Sequence, residues 1–169
     1  MKESYRALLD ERRCELREQL RPIFSATADF VGEIGCGHGH FLTAYAAAHP
    51  NRLCVGLDLV GERVERACRK RDRARLPNLH FLRAEARMFI ESLPDHARLT
   101  ALFILFPDPW PKSRHQKHRI IQNDFLELLA NSVKPECRLH FRTDYAPYFD
   151  DAQAAVRLHP RWQLVSEPW

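Results

Sequence analysis

The sequence predicts an α/β fold, a mostly parallel central sheet flanked by helices, and three features carry that expectation. From residue 30 onward, short apolar runs of strand length alternate with stretches of helical periodicity. The first run opens into a glycine-rich turn, Gly35-Cys36-Gly37-His38-Gly39, ahead of a helix-like stretch. One run, Thr100-Ala101-Leu102-Phe103-Ile104-Leu105-Phe106, is apolar almost throughout, as a strand covered on both faces must be. Strand–helix–strand order implies right-handed crossovers and parallel neighbours.

The elements follow in order. The N-terminal stretch to about Leu20 reads as a helix on a loose stripe of Tyr5, Leu8, Leu9, Leu16 and Leu20, and Pro22 helps to end it. A strand at 30–34 precedes the glycine turn, and a helix at 40–49 turns Phe41, Leu42, Tyr45 and Ala46 inward. Then come a strand at 53–59, a helix at 62–73, a strand at 79–82 and a short helix at 86–93. After the strand at 100–106, Phe125, Leu126, Leu128 and Leu129 mark a helix at 121–133. A strand at 138–142, a helix at 148–158 and a last strand at 162–165 complete the series.

Composition limits the function classes. With 169 residues, 45% hydrophobic and 28% charged, the chain suits one globular domain over 1–169, an N-terminal helix (1–24) followed by a core (25–169). The net charge of +4 is uneven, its excess lying in 63–75 and 112–119, so an anionic partner such as nucleic acid is expected on that side. The five cysteines are scattered without a CxxC pair, which argues against a zinc site or a disulfide framework and suits a reducing cytoplasm. The histidines lack ligand spacing, so no metal is expected. The N-terminus is charged throughout, unlike a signal peptide, and no apolar run approaches the roughly 20 residues of a membrane span.

In parallel sheets ligands sit at the carboxyl ends of the strands, near the point where strand order reverses. Each strand delivers an acid there: Glu33, Asp58, Glu85, Asp108 and Asp144 in turn. One such acid is ordinary turn or cap chemistry; an acid after every strand is harder to explain that way. Gly35 and Gly37 allow a sharp turn and close approach of a ligand. The GxGxG spacing departs from the GxGxxG of dinucleotide sites. Asp58, about 20 residues beyond the glycines, is placed for a ribose, and Glu85 for an adenine amino group. A negative border favours a cation and repels a phosphate. Together these features resemble the S-adenosylmethionine site of class I methyltransferases.

The stretch FPDPWPKSRHQKHRI, residues 106–120, makes the resemblance specific. It strongly resembles the signature of the tRNA (guanine-N7)-methyltransferase family. VGEIGCGHGHFL and GLDLVGERVERA are similar to that family's cofactor segments, and LHFRTDYAPYF to a later motif, so the likeness runs from about 30 to 149. It implies a Rossmann-like class I methyltransferase using S-adenosyl-L-methionine and acting on guanine N7 in tRNA. Glu33, Asp58 and Glu85 would contact the cofactor, although the family more often has Glu in place of Asp58 and Asp in place of Glu85. Asp108 would touch the cofactor and act as the catalytic carboxylate. Lys112 and Asp144 would contact the substrate, and Arg114, His115, Lys117 and Arg119 would face RNA.

The likeness weakens at the ends. Family members continue past the strand at 162–165 through a Thr-x-x-Glu motif and a final strand. The sheet is therefore expected to lack its last strand and to leave an edge that the N-terminal helix or a second copy, in a homodimer, would cover. A small heterocycle is the alternative acceptor, and a catalytically silent RNA-binding subunit is a third reading.

Overall fold

A computed structural model of the chain describes residues 2–25 and 28–165. Five strands form one sheet: β1 (Asp29–Ile34), β2 (Leu53–Asp58), β3 (Leu79–Arg83), β4 (Arg98–Leu105) and β5 (Val133–Arg142). Their order is β3-β2-β1-β4-β5 and every neighbouring pair is parallel. The chain starts mid-sheet, moves outward to β3, then returns past β1 to β4. Strand order thus reverses between β1 and β4, where parallel sheets open a crevice.

Helices α1 (Lys2–Ile23), α4 (Ala86–Ser92), α5 (Asn123–Ala130) and α6 (Ala146–Leu158) cover one face, and α2 (His40–Ala48) and α3 (Gly61–Ala74) the other. Alternation along each strand feeds both layers. Phe30 enters the first with Leu16, Leu20, Phe24, Phe89 and Phe125, while Val31 enters the second with Leu42, Ala67 and Phe81. Phe24, Phe30 and Phe125 are almost wholly buried, and each contributes on the order of 2–3 kcal/mol of burial energy. Both faces are needed, which is why β4 reads as an almost continuous apolar run, as β1 does apart from Glu33.

Several expected boundaries shift for physical reasons. β5 begins at Val133, not 138: Leu99 pairs with Val133 and Ala101 already with Arg138, so 134–137 bulge from the ladder, and Pro135 has no N–H to offer it. α5 starts two residues late because the amides of Ile120 and Ile121 donate to the Tyr148 hydroxyl at 2.8 and 3.3 Å. The expected strand at 162–165 is absent; the Trp162 indole donates to the Leu126 carbonyl at 2.9 Å, and Arg161 reaches Glu127 and Asn131, which docks this segment on α5. Among the described residues, β5 pairs only with β4 and is an edge. α1 packs on α4 and does not cover that edge, contrary to one of the two expected arrangements.

Candidate cofactor and substrate site

The register brings the strand ends to one border. Ile34 lies beside Leu57 and Ile104, Asp58 beside Arg83, and Leu105 beside Arg142. The segments carrying Gly35, Glu85, Asp108 and Asp144 therefore all leave the sheet along the same edge as Asp58.

The glycine turn is tied across β2. Gly35 and Cys36 donate their amides to the Leu57 carbonyl at 2.8 and 2.9 Å, and Gly37 donates to Asp58 Oδ2 at 2.9 Å. Val60 donates to Asp58 Oδ1 at 2.8 Å, so this buried carboxylate braces both loops. The glycines have left-handed φ values of 74°, 53° and 68° at Gly35, Gly37 and Gly39. A Cβ on Gly39 would lie 2.5 Å from Phe81 and 2.8 Å from Ala67, so that glycine serves packing. Among the described residues, a Cβ on Gly35 or Gly37 would meet nothing within 4 Å. Those two face open space, as a ligand cradle requires.

Glu33 lies at the end of β1 with 4% of its surface exposed, and its Oε2 has no hydrogen-bond partner among the described residues. Burial pushes its carboxyl up to about 7, an effect that the Leu42 amide only partly offsets. Burial, then the charges of Glu33 and Asp58, also push the Cys36 thiol well up, so the two carboxylates converge on the turn. An unpartnered buried acceptor beside two open glycines fits a ligand carrying cationic or N–H and O–H donors. S-adenosylmethionine meets that description.

Glu85 caps α4, its Oε2 accepting from the Met88 amide at 2.9 Å, and the residue is exposed. Asp108 is exposed and has no hydrogen-bond or ion-pair partner among the described residues. It sits between two non-glycine residues in the left-handed region, Phe106 at φ 52° and Trp110 at φ 44°. Each such residue costs on the order of 1–3 kcal/mol, and the surroundings must hold it there. Asp144 is exposed two residues beyond β5.

The basic tract forms a short 3₁₀ turn, Ser113–His118. Lys112, Arg114 and Lys117 are exposed on it, and His115 is half-buried, accepting from Arg114 Nε at 3.2 Å. Half-buried Trp110 gathers His115 and His118 at 5.8 and 5.2 Å between ring centroids, forming one aromatic group beside the turn. Arg119 corrects the expectation that it faces RNA: it is 4% exposed, donating to the Pro109 carbonyl at 2.9 Å and paired with Asp151. Sequence reasoning overlooked Asp151 and Tyr148. The one available signal was an arginine set directly against the apolar pair Ile120-Ile121.

Among the described residues, no three His, Cys, Asp or Glu side chains gather as a metal site, and no helix is long and apolar enough to cross a membrane.

Residues 27–169 match a protein family described as "Putative methyltransferase". Over 162 residues the chain is 33% identical to the tRNA (guanine-N(7)-)-methyltransferase of Nitrosomonas europaea, covering 94% of this chain and 72% of that protein. The protein of the same name from Syntrophotalea carbinolica is 36% identical over 126 residues, covering 75% of this chain and 54% of that one. The chain spans 54–63% of the length of the first curated relatives it matches. A solved structure titled "Structure of an Antibiotic Related Methyltransferase" superposes with a TM-score of 0.57 at 21% identity, over 83% of this chain and 72% of that one, and shares the fold.

Proposed function

Because the chain belongs to the tRNA (guanine-N7)-methyltransferase family, we propose that it transfers a methyl group from S-adenosylmethionine to N7 of a guanine in tRNA. The observation that carries this reading is one border of the sheet. It holds Glu33, buried and with one oxygen unpartnered among the described residues, and Asp108, exposed and equally unpartnered among them, with a basic turn immediately after it.

S-adenosylmethionine supplies an electrophilic methyl on a sulfonium. N7 of guanine carries a lone pair and no proton, so no general base is needed. The residues' task is placement, and alignment at about 3–3.5 Å accounts for most of the acceleration in such transfers. Glu33 and Asp58 hold the donor's cationic and hydroxyl groups, and Glu85 contributes its other oxygen. Asp108 accepts from the N1–H or the exocyclic amino group of the base and offsets the positive charge that arrives with the methyl. Asp144 serves the same base edge. Lys112, Arg114 and Lys117 neutralise phosphates, with His115 beside them. tRNA as substrate implies a cytoplasmic protein.

With methyl-labelled S-adenosylmethionine and bulk unmodified tRNA, label should enter RNA at a site cleavable as 7-methylguanine. Label confined to a small-molecule fraction would instead identify a free heterocycle as acceptor. Replacing Arg114 and Lys117 by Ala should lower the slope of log affinity against log salt by about 1.5–2, because roughly two phosphate contacts are lost. This reading includes pairing of two copies. A sedimentation coefficient that stays at the monomer value at high concentration would rule that out.

A further inference from the structure

We infer that Arg119 is a positioning residue for the Asp108 loop, holding that loop through its backbone carbonyls. The inference rests on the role proposed for Asp108. Asp108 has no partner of its own among the described residues, so its place is set only by the backbone on either side. That backbone is strained at Phe106 and Trp110. Pro107 and Pro109 limit its freedom but give it no hydrogen bond on their nitrogens. Before Asp108 the Phe106 amide donates to the Arg142 carbonyl at 2.7 Å; after it, the Arg119 guanidinium holds the loop. Nε donates to the Pro109 carbonyl at 2.9 Å and Nη2 reaches the Trp110 carbonyl at 3.4 Å, one residue and two residues past Asp108.

The guanidinium is itself fixed from the far side. Nη1 pairs with Asp151 of α6, and the group lies over the rings of Tyr148 and Tyr145 at 5.0 and 5.6 Å. Tyr148 is wholly buried, and its hydroxyl accepts from the Ile120 and Ile121 amides next to Arg119. Only 3% of the Arg119 side chain is exposed, so a phosphate cannot reach it, unlike Lys112, Arg114 and Lys117 on the same tract. A planar fork can bind two successive carbonyls and a carboxylate at once; the point charge of lysine cannot. The core of α6 is thereby linked to the backbone that carries Asp108.

Three variants of the full chain test this: Arg119→Lys, Arg119→Ala and Asp151→Asn, each checked for folding by circular dichroism. Loss of the clamp should lower kcat at saturating tRNA by about ten- to a hundredfold in both Arg119 variants, the scale expected when a reacting group is misplaced. Cofactor affinity and the salt slope of tRNA binding should stay as in the parent. Trypsin should cut faster after Lys112 and Arg114, read from fragment masses, in Arg119→Lys and in Asp151→Asn. If Arg119→Ala does not fold, those two milder variants carry the test. Full kcat in Arg119→Lys, or a salt slope reduced by about one in Arg119→Ala, would assign Arg119 to phosphate contact and overturn the inference. Unchanged tryptic rates in both milder variants would overturn it as well. The protease measurement needs no substrate, so it still judges the clamp if the parent protein proves not to methylate tRNA.

Discussion

Asp108→Asn should cut methyl transfer to tRNA by about 10²–10³-fold, the loss typical of removing one preorganised electrostatic contact. The side chains are nearly isosteric, so shape is kept while the negative charge goes. The amide's N–H group would then meet the donor edge of the base, adding repulsion to the lost attraction. Cofactor binding should change little, because Glu33, Asp58 and the glycine turn are untouched. Folding stability should stay within about 0.5 kcal/mol, since Asp108 is exposed and unpartnered among the described residues. Single-turnover rates, cofactor titration and thermal melts together check the three statements. Normal turnover would remove Asp108 from the chemistry, and lost cofactor binding would reassign it to the donor side.

Glu33→Gln should move stability and function in opposite directions. Glu33 is buried and its folded-state carboxyl lies at about 7, raised from 4.5 mainly by burial. The folded protein therefore holds this proton more tightly than the unfolded chain does. Its contribution to stability is complete below about 4.5 and is lost as the pH rises to about 7. The loss amounts to about 3 kcal/mol at pH 8, taking 1.36 kcal/mol for each pH unit of displacement. Gln cannot ionise and escapes it. The variant should match the parent near pH 4.5 and melt several degrees higher at pH 8, given about 2–4 °C per kcal/mol for a chain of this size. It should also bind S-adenosylmethionine much more weakly, having lost the buried anion that faces a cationic ligand. In the parent, affinity should fall up to tenfold per pH unit below 7, because the ligand must compete with a proton. Parallel melts at the two pH values decide the stability half, and titration calorimetry across pH 5–8 decides the binding half.

The sequence singled out Glu33 only as one of five acids at strand ends, although a stronger local signal was there. An acid inside the apolar run Phe30-Val31-Gly32-Glu33-Ile34 breaks the local pattern and needs a reason. Glu85 shows the opposite case. The same residue type at a strand end turned out to cap α4 with one oxygen, so part of its signal was helix chemistry.

Strand and helix order as far as residue 158, the glycine turn and the series of acids along one border could be read from the chain itself, because each depends on periodicity or spacing within a few residues. Sites of long-range contact could not. Arg119 and the exposed cations of 112–117 look alike in sequence, yet Arg119 is drawn inward by Asp151 and Tyr148, 32 and 29 residues further along the chain. The start of β5 and the docking of Trp162 on α5 likewise depend on partners brought close only by folding. Local pattern specifies which side of an element is apolar. Whether a given charge stays in water is set by the groups that the completed packing places around it.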